Sequence, residues 1–95
     1  MIIPYYKNDL ITLYHGDCLE IMPQLDIKFD CCITDLPYGK HKNRNQCKWD
    51  SIIPFEPMWN KLKRLIKDNG SICLFGNEPF SSYLRCSNMD MFKYD

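Results

Sequence analysis

Apolar and polar positions change period several times along the 95 residues, and each change marks an element. From Leu10 to Asp17, LITLYHGD sets Ile11, Leu13 and Tyr14 in a short β-favouring run that ends at Gly16-Asp17. DCLEIMPQL then places Leu19, Met22 and Leu25 at helical spacing. Asp17 with Glu20 forms an acidic version of the capping box, and Pro23 keeps the helix short or irregular. FDCCIT, Phe29 to Thr34, is a nearly continuous apolar run bounded by polar residues. Such a run suits a strand covered on both faces, as in parallel sheets.

Between Phe55 and Asp68 the apolar positions are Phe55, Met58, Trp59, Leu62, Leu65 and Ile66, the spacing of an amphipathic helix. Pro57 is tolerated in a first turn. Lys61, Lys63, Arg64 and Lys67 suit the negative end of the helix dipole, and Asn69-Gly70 reads as a helix stop. SICLFG, Ser71 to Gly76, predicts another short strand, and Pro79 opens a last helix, PFSSYLRCS. Gly39 to Pro54 is a long polar connection, basic at Lys40, Lys42, Arg44 and Lys48. Its length exceeds a usual connector, which points to a functional loop.

Strand and helix alternate three times, which predicts an α/β fold with a parallel sheet built from βαβ units. In such sheets ligands bind beyond the carboxyl ends of the strands. Three polar groups fall at those predicted ends: Asp17, then Asp35 with Leu36-Pro37-Tyr38, then Asn77 and Glu78. Their convergence is the sequence's own argument for a site.

Composition adds limits. With 45% hydrophobic and 25% charged residues the chain is expected to fold, and its length allows one domain, 1–95. Twelve basic and twelve acidic residues balance, so only a local patch could mark a nucleic-acid partner. The N-terminus has no basic leader before a long apolar core, and no apolar run reaches the roughly 18 residues of a membrane span, so a cytoplasmic location is expected. Of six cysteines, four lie in apolar or periodic segments, where free thiols serve as small core residues. No Cys-x-x-Cys pair is present, and His15, His41 and Cys47 lack the spacing of a zinc site.

Asp35-Leu36-Pro37-Tyr38 resembles the signature of the amino-group DNA methyltransferases, in which Asp, Asn or Ser precedes, usually, Pro-Pro and an aromatic. Here leucine replaces the first proline, while acid, second proline and aromatic stand in register. GDCLEIMPQL with FDCCITDLPYG is similar to the opening of methyltransferases whose catalytic motif precedes the cofactor loop. CKWDSIIPFEPMW and DNGSICLFGNEPFSSYL look like phage and prophage adenine methyltransferases, so the resemblance covers nearly the whole chain.

The resemblance implies a partial Rossmann-like sheet of the S-adenosylmethionine-dependent type, acting on adenine N6 of double-stranded DNA whose target base is flipped out. It assigns Asp35, Leu36, Pro37 and Tyr38 to catalysis, and Asp17 with Cys18 to S-adenosylmethionine. The chemistry is coherent: an amine conjugated to a base ring is a poor nucleophile, and acceptors on its two N–H groups would free its lone pair. Asp35 and the Leu36 carbonyl would be those acceptors, with Pro37 fixing the backbone and Tyr38 stacking on the base. From the four residues alone, a turn cap, a strand-ending proline and a surface tyrosine explain the same letters. Asp17 likewise reads as a helix N-cap.

Glycines occur only at Gly16, Gly39, Gly70 and Gly76, too far apart for the Phe-x-Gly-x-Gly loop that cradles the cofactor in the family. The chain is therefore expected to be the N-terminal part of a methyltransferase, completed by a C-terminal segment or a second chain. N4-cytosine methylation is the alternative within the family. Glutamine methylation fits less well, since that family opens its motif with Asn. A non-catalytic remnant or interaction module with the same fold is the alternative outside enzymes.

Overall fold

The computed structural model describes residues 2–39 and 52–95, and the basic stretch Lys40, Lys42, Arg44 and Lys48 lies outside them. The first elements are two short antiparallel strands, β1 (Tyr6–Lys7) and β2 (Thr12–Leu13), paired Tyr6 with Leu13 and Lys7 with Thr12. Asn8 makes the reversal: its Oδ1 accepts from the backbone N–H of Leu10 and of Ile11, both at 2.8 Å. An Asx turn of this kind competes with an extended chain. The strand expected over Leu10 to Asp17 is thus the second arm of a hairpin and does not belong to the parallel sheet.

The segment after Gly16 behaves as its capping residue and proline dictate. Asp17 caps α1 (Cys18–Ile21) by accepting from the Leu19 N–H at 2.9 Å. Pro23 then tightens the chain into a 3-10 turn, Met22–Gln24. The Met22 and Leu25 carbonyls accept from Nη2 of Arg64 at 2.6 and 3.0 Å, the first of them shared with the Leu25 N–H, which ties this turn to the long helix.

That helix, α2 (Phe55–Leu65), connects β3 (Phe29–Asp35) to β4 (Ile66–Phe75), and the two strands are parallel. It is shorter than its apolar pattern suggested. Ile66 already has extended dihedrals, and Lys67 to Gly70 enter a bulge opposite Asp30 instead of a last helical turn. Asn69-Gly70 is therefore part of a strand irregularity, not a helix stop. Gly70 is there because nothing larger fits: a Cβ would stand 2.6 Å from Ile66 Cγ2 and 2.8 Å from the Asp30 carbonyl oxygen. Lys67 Nζ reaches Asp30 Oδ1 across the bulge at 2.7 Å, an exposed pair of small energetic weight.

The last helix, α3 (Phe80–Ser87), follows Pro79 as expected. Glu78 accepts from the N–H and Oγ of Ser82 and from Arg85 Nη2, so its carboxylate closes the first turn. Trp59 Nε1 donates to Ser87 Oγ at 2.9 Å and fastens α3 to α2.

One core results. Met58, Trp59 and Leu62 of α2 meet Phe80 and Leu84 of α3 and Leu36, with Cys32, Ile72 and Leu74 of the sheet against them. Each such side chain is worth about 1.5–3 kcal/mol on burial. Because register pairs Cys32 with Ile72 and Thr34 with Leu74, these residues share the covered face. The opposite face carries Cys31, Ile33, Cys73 and Phe75, and there Ile33 is 71% and Phe75 57% exposed. The expectation of a strand covered on both faces is corrected: α2 and α3 cover one side only. For the same reason Cys31 and Cys73 are exposed thiols rather than core residues; Cys86 and Cys18 are exposed as well, and Cys32 is half-buried.

The observed class is thus mixed α/β with a two-stranded parallel sheet. The third parallel strand that a Rossmann-like reading requires is absent among the described residues.

Candidate functional site at the carboxyl end of the parallel sheet

Asp35 is the last residue of β3 and stands in register with Phe75, the last residue of β4. The chain leaves both strands at the same edge, so Leu36-Pro37-Tyr38 and Gly76-Asn77-Glu78 are neighbouring exits. This is the position where parallel sheets carry ligands; of the three groups expected there, those after β3 and β4 share this end, whereas Asp17 follows the hairpin and not a strand of the parallel sheet.

Leu36 turns inward and is 8% exposed, in contact with the α2 and α3 side chains. A buried leucine thereby anchors the turn that a second proline would otherwise stiffen. Pro37 restricts the Leu36 backbone to extended conformations. Gly39, at φ 75, lets the chain turn away in the left-handed region.

Tyr38 folds back. Its hydroxyl donates to Asp35 Oδ1 at 3.0 Å, and its ring stacks on Phe80 with centroids 5.1 Å apart and planes 29° apart. Phe80 lies in turn against Phe55, at 5.9 Å and 45°. The Asp35 carboxylate holds the Tyr38 phenol above its ordinary pKa, first by accepting its proton in a hydrogen bond, then through desolvation and repulsion of a phenolate. Among the described residues, Asp35 Oδ2 accepts no hydrogen bond.

Asp17 caps α1 and Cys18 begins it, and α1 packs on α2. The Asp17 carboxylate is engaged with the Leu19 N–H, the cap role. The Cys18 thiol is pushed up by partial burial and then by Asp17, which makes it a weaker nucleophile and ligand. Among the described residues no cluster of His, Cys, Asp or Glu could hold a metal ion, and no helix is long and apolar enough to cross a membrane. Glu78 lies at the correct edge but serves α3; Ser82 and Arg85 hold its carboxyl below the usual range.

Phe80 is the site neighbour that sequence reading passed over. Its spacing to Leu84 predicts an inward residue at the start of α3, and Pro79 marks that start beside the β4 exit. Together those signals place an aromatic ring near Tyr38.

Among known proteins, the chain is 29% identical over 88 residues to the type II methyltransferase M.BamHI of Bacillus amyloliquefaciens, covering 85% of this chain and 21% of that protein. The chain thus spans about a fifth of the length of this relative. No protein-family model matches the chain, and no solved structure matches it.

Proposed function

We propose that this chain carries the amine-holding part of a DNA methyltransferase that modifies adenine N6. The observation that carries the reading is the Asp35 turn: an acid with one oxygen held by Tyr38 and the other without a hydrogen bond among the described residues, at the carboxyl end of a parallel strand. Similarity to a type II methyltransferase supports the same reaction class. N4-cytosine is the nearest alternative target, because it presents the same kind of conjugated amine.

In this reading Asp35 Oδ2 and the Leu36 carbonyl accept the two amine hydrogens of a base rotated out of double-stranded DNA. Both acceptors act most strongly on the positive charge that grows on nitrogen as its lone pair is used. Pro37 keeps the carbonyl aimed, the buried Leu36 side chain keeps the turn in place, and the Tyr38 ring offers a stacking surface.

S-adenosylmethionine, the family's donor, would supply an electrophilic methyl group when bound. The residues present do not form a cradle for it. The Asp17 side chain caps α1, and the glycine-rich loop is missing from the sequence. We therefore read residues 1–95 as the N-terminal part of the catalytic unit, completed by a C-terminal segment or a second chain. The missing glycine loop favours, as a second reading, a non-catalytic module that keeps the fold.

Two measurements test the proposal. Calorimetric titration of the folded chain with S-adenosylmethionine should give no binding until a glycine-loop segment is added. In the completed enzyme, Asp35→Ala should keep the circular dichroism of the parent and lose methyl transfer to duplex DNA by about 10²-fold or more. Activity retained in that variant removes Asp35 from the mechanism.

A further inference from the structure

We infer that Phe80 is a positioning residue for Tyr38: it fixes the plane of the tyrosine ring so that the hydroxyl meets Asp35 and a stacked base lies in a set orientation. The inference rests on the reading of Asp35 to Tyr38 as the amine-holding turn and names the part of the fold that aims it.

The geometry runs through three elements. Phe80 is 3% exposed and is the first residue of α3, one short turn beyond the β4 exit that faces Asp35. Its backbone is held from both ends of the helix: Glu78 closes the first turn, and Trp59 Nε1 on Ser87 Oγ ties the last turn to α2. Phe55, the first residue of α2, braces the ring from a second direction at 5.9 Å. Phe80 is therefore a fixed wall, and the Tyr38 ring lies nearly parallel to it at 5.1 Å.

A ring held on one face by such a wall keeps few rotamers, and offset stacking of aromatic pairs adds about 0.5–1.5 kcal/mol beyond area burial. The hydrogen bond at its far end then needs no further ordering: the phenol arrives at Asp35 Oδ1 because the ring is already placed. With Oδ1 engaged, Oδ2 is left as the carboxylate oxygen that can face an amine. Phe80 thus acts on Asp35 through Tyr38, without itself touching a substrate, and the β4–α3 connection becomes part of the site's alignment.

The test is nuclear magnetic resonance on the chain with ring-labelled tyrosine. In the parent, Tyr38 should show ring-current displacement and through-space contact with Phe80, and a phenol midpoint above the ordinary tyrosine range. Phe80→Leu should collapse the displacement and lower the midpoint, while Phe80→Tyr, which keeps a ring face, should restore both. A folded Phe80→Leu chain with unchanged Tyr38 signals overturns the inference. If that variant does not fold, the parent decides: absence of contact between the two rings also overturns it. Loss of methyl transfer by Asp35→Ala is read separately. A held Tyr38 in an enzyme indifferent to Asp35 would remove the functional reading, while a loose Tyr38 in an Asp35-dependent enzyme would remove the role of Phe80.

Discussion

At the scale of single residues, the departure from Pro-Pro at position 36 has a structural reason. Leu36 gives up a rigid ring and gains a place in the core, with 8% exposure against α2 and α3. Leu36→Ala should cost about 2–5 kcal/mol in urea unfolding, the range for emptying a buried leucine site. Leu36→Pro should move in the same direction although it makes the motif more regular, and a stabilised Leu36→Pro chain would show that backbone stiffness outweighs burial here. The Tyr38 shift sets a pH direction. Its folded pKa is raised, so the stability gained from the bond to Asp35 is complete below the ordinary tyrosine range and is lost as pH rises through the folded value. Tyr38 should therefore stay protonated on Asp35 throughout neutral and mildly alkaline solution.

At the scale of elements, the bulge at Lys67 to Gly70 is the most exposed to change. Gly70→Ala would drive a Cβ against the Asp30 carbonyl and Ile66, and the backbone oxygen cannot rotate away. The expected loss is about 1–3 kcal/mol, read as a lower midpoint in chemical denaturation. An unchanged midpoint would mean that the bulge relaxes. Much of this level was legible in the letters. The two helices with apolar stripes and the two parallel strands follow from periodicity, and Trp59 was rightly expected to pack. What escaped were features decided across the chain. Asn8 turns the first expected strand into a hairpin because a side-chain acceptor two residues ahead outcompetes an extended run. Burial of a strand face depends on what lies over it, so FDCCIT could not reveal that only its Cys32 side is covered. The Asp35 turn was found from its chemistry, whereas Phe80 required knowing that the β4 exit lies beside it.

At the scale of the whole molecule, one face of the parallel sheet is bare among the described residues, with Ile33 71% and Phe75 57% exposed. The chain thus leaves apolar area in water that a covered sheet would bury. Its heat-capacity change on unfolding should accordingly fall below the about 1.1–1.4 kcal/mol/K typical of this length, as differential scanning calorimetry would show; a value in or above that range would mean a larger buried area than the structure contains. The bare side of the sheet also carries its own chemical labels. Cys31 and Cys73 stand on it, while Cys32, on the clothed side, is half-buried with its thiol pushed up by desolvation and then by Cys31 and Cys73. A maleimide therefore distinguishes the two sides of two strands by rate, with Cys86 on α3 as an internal clock, and any polypeptide laid over the sheet would announce itself as two silenced sulfurs.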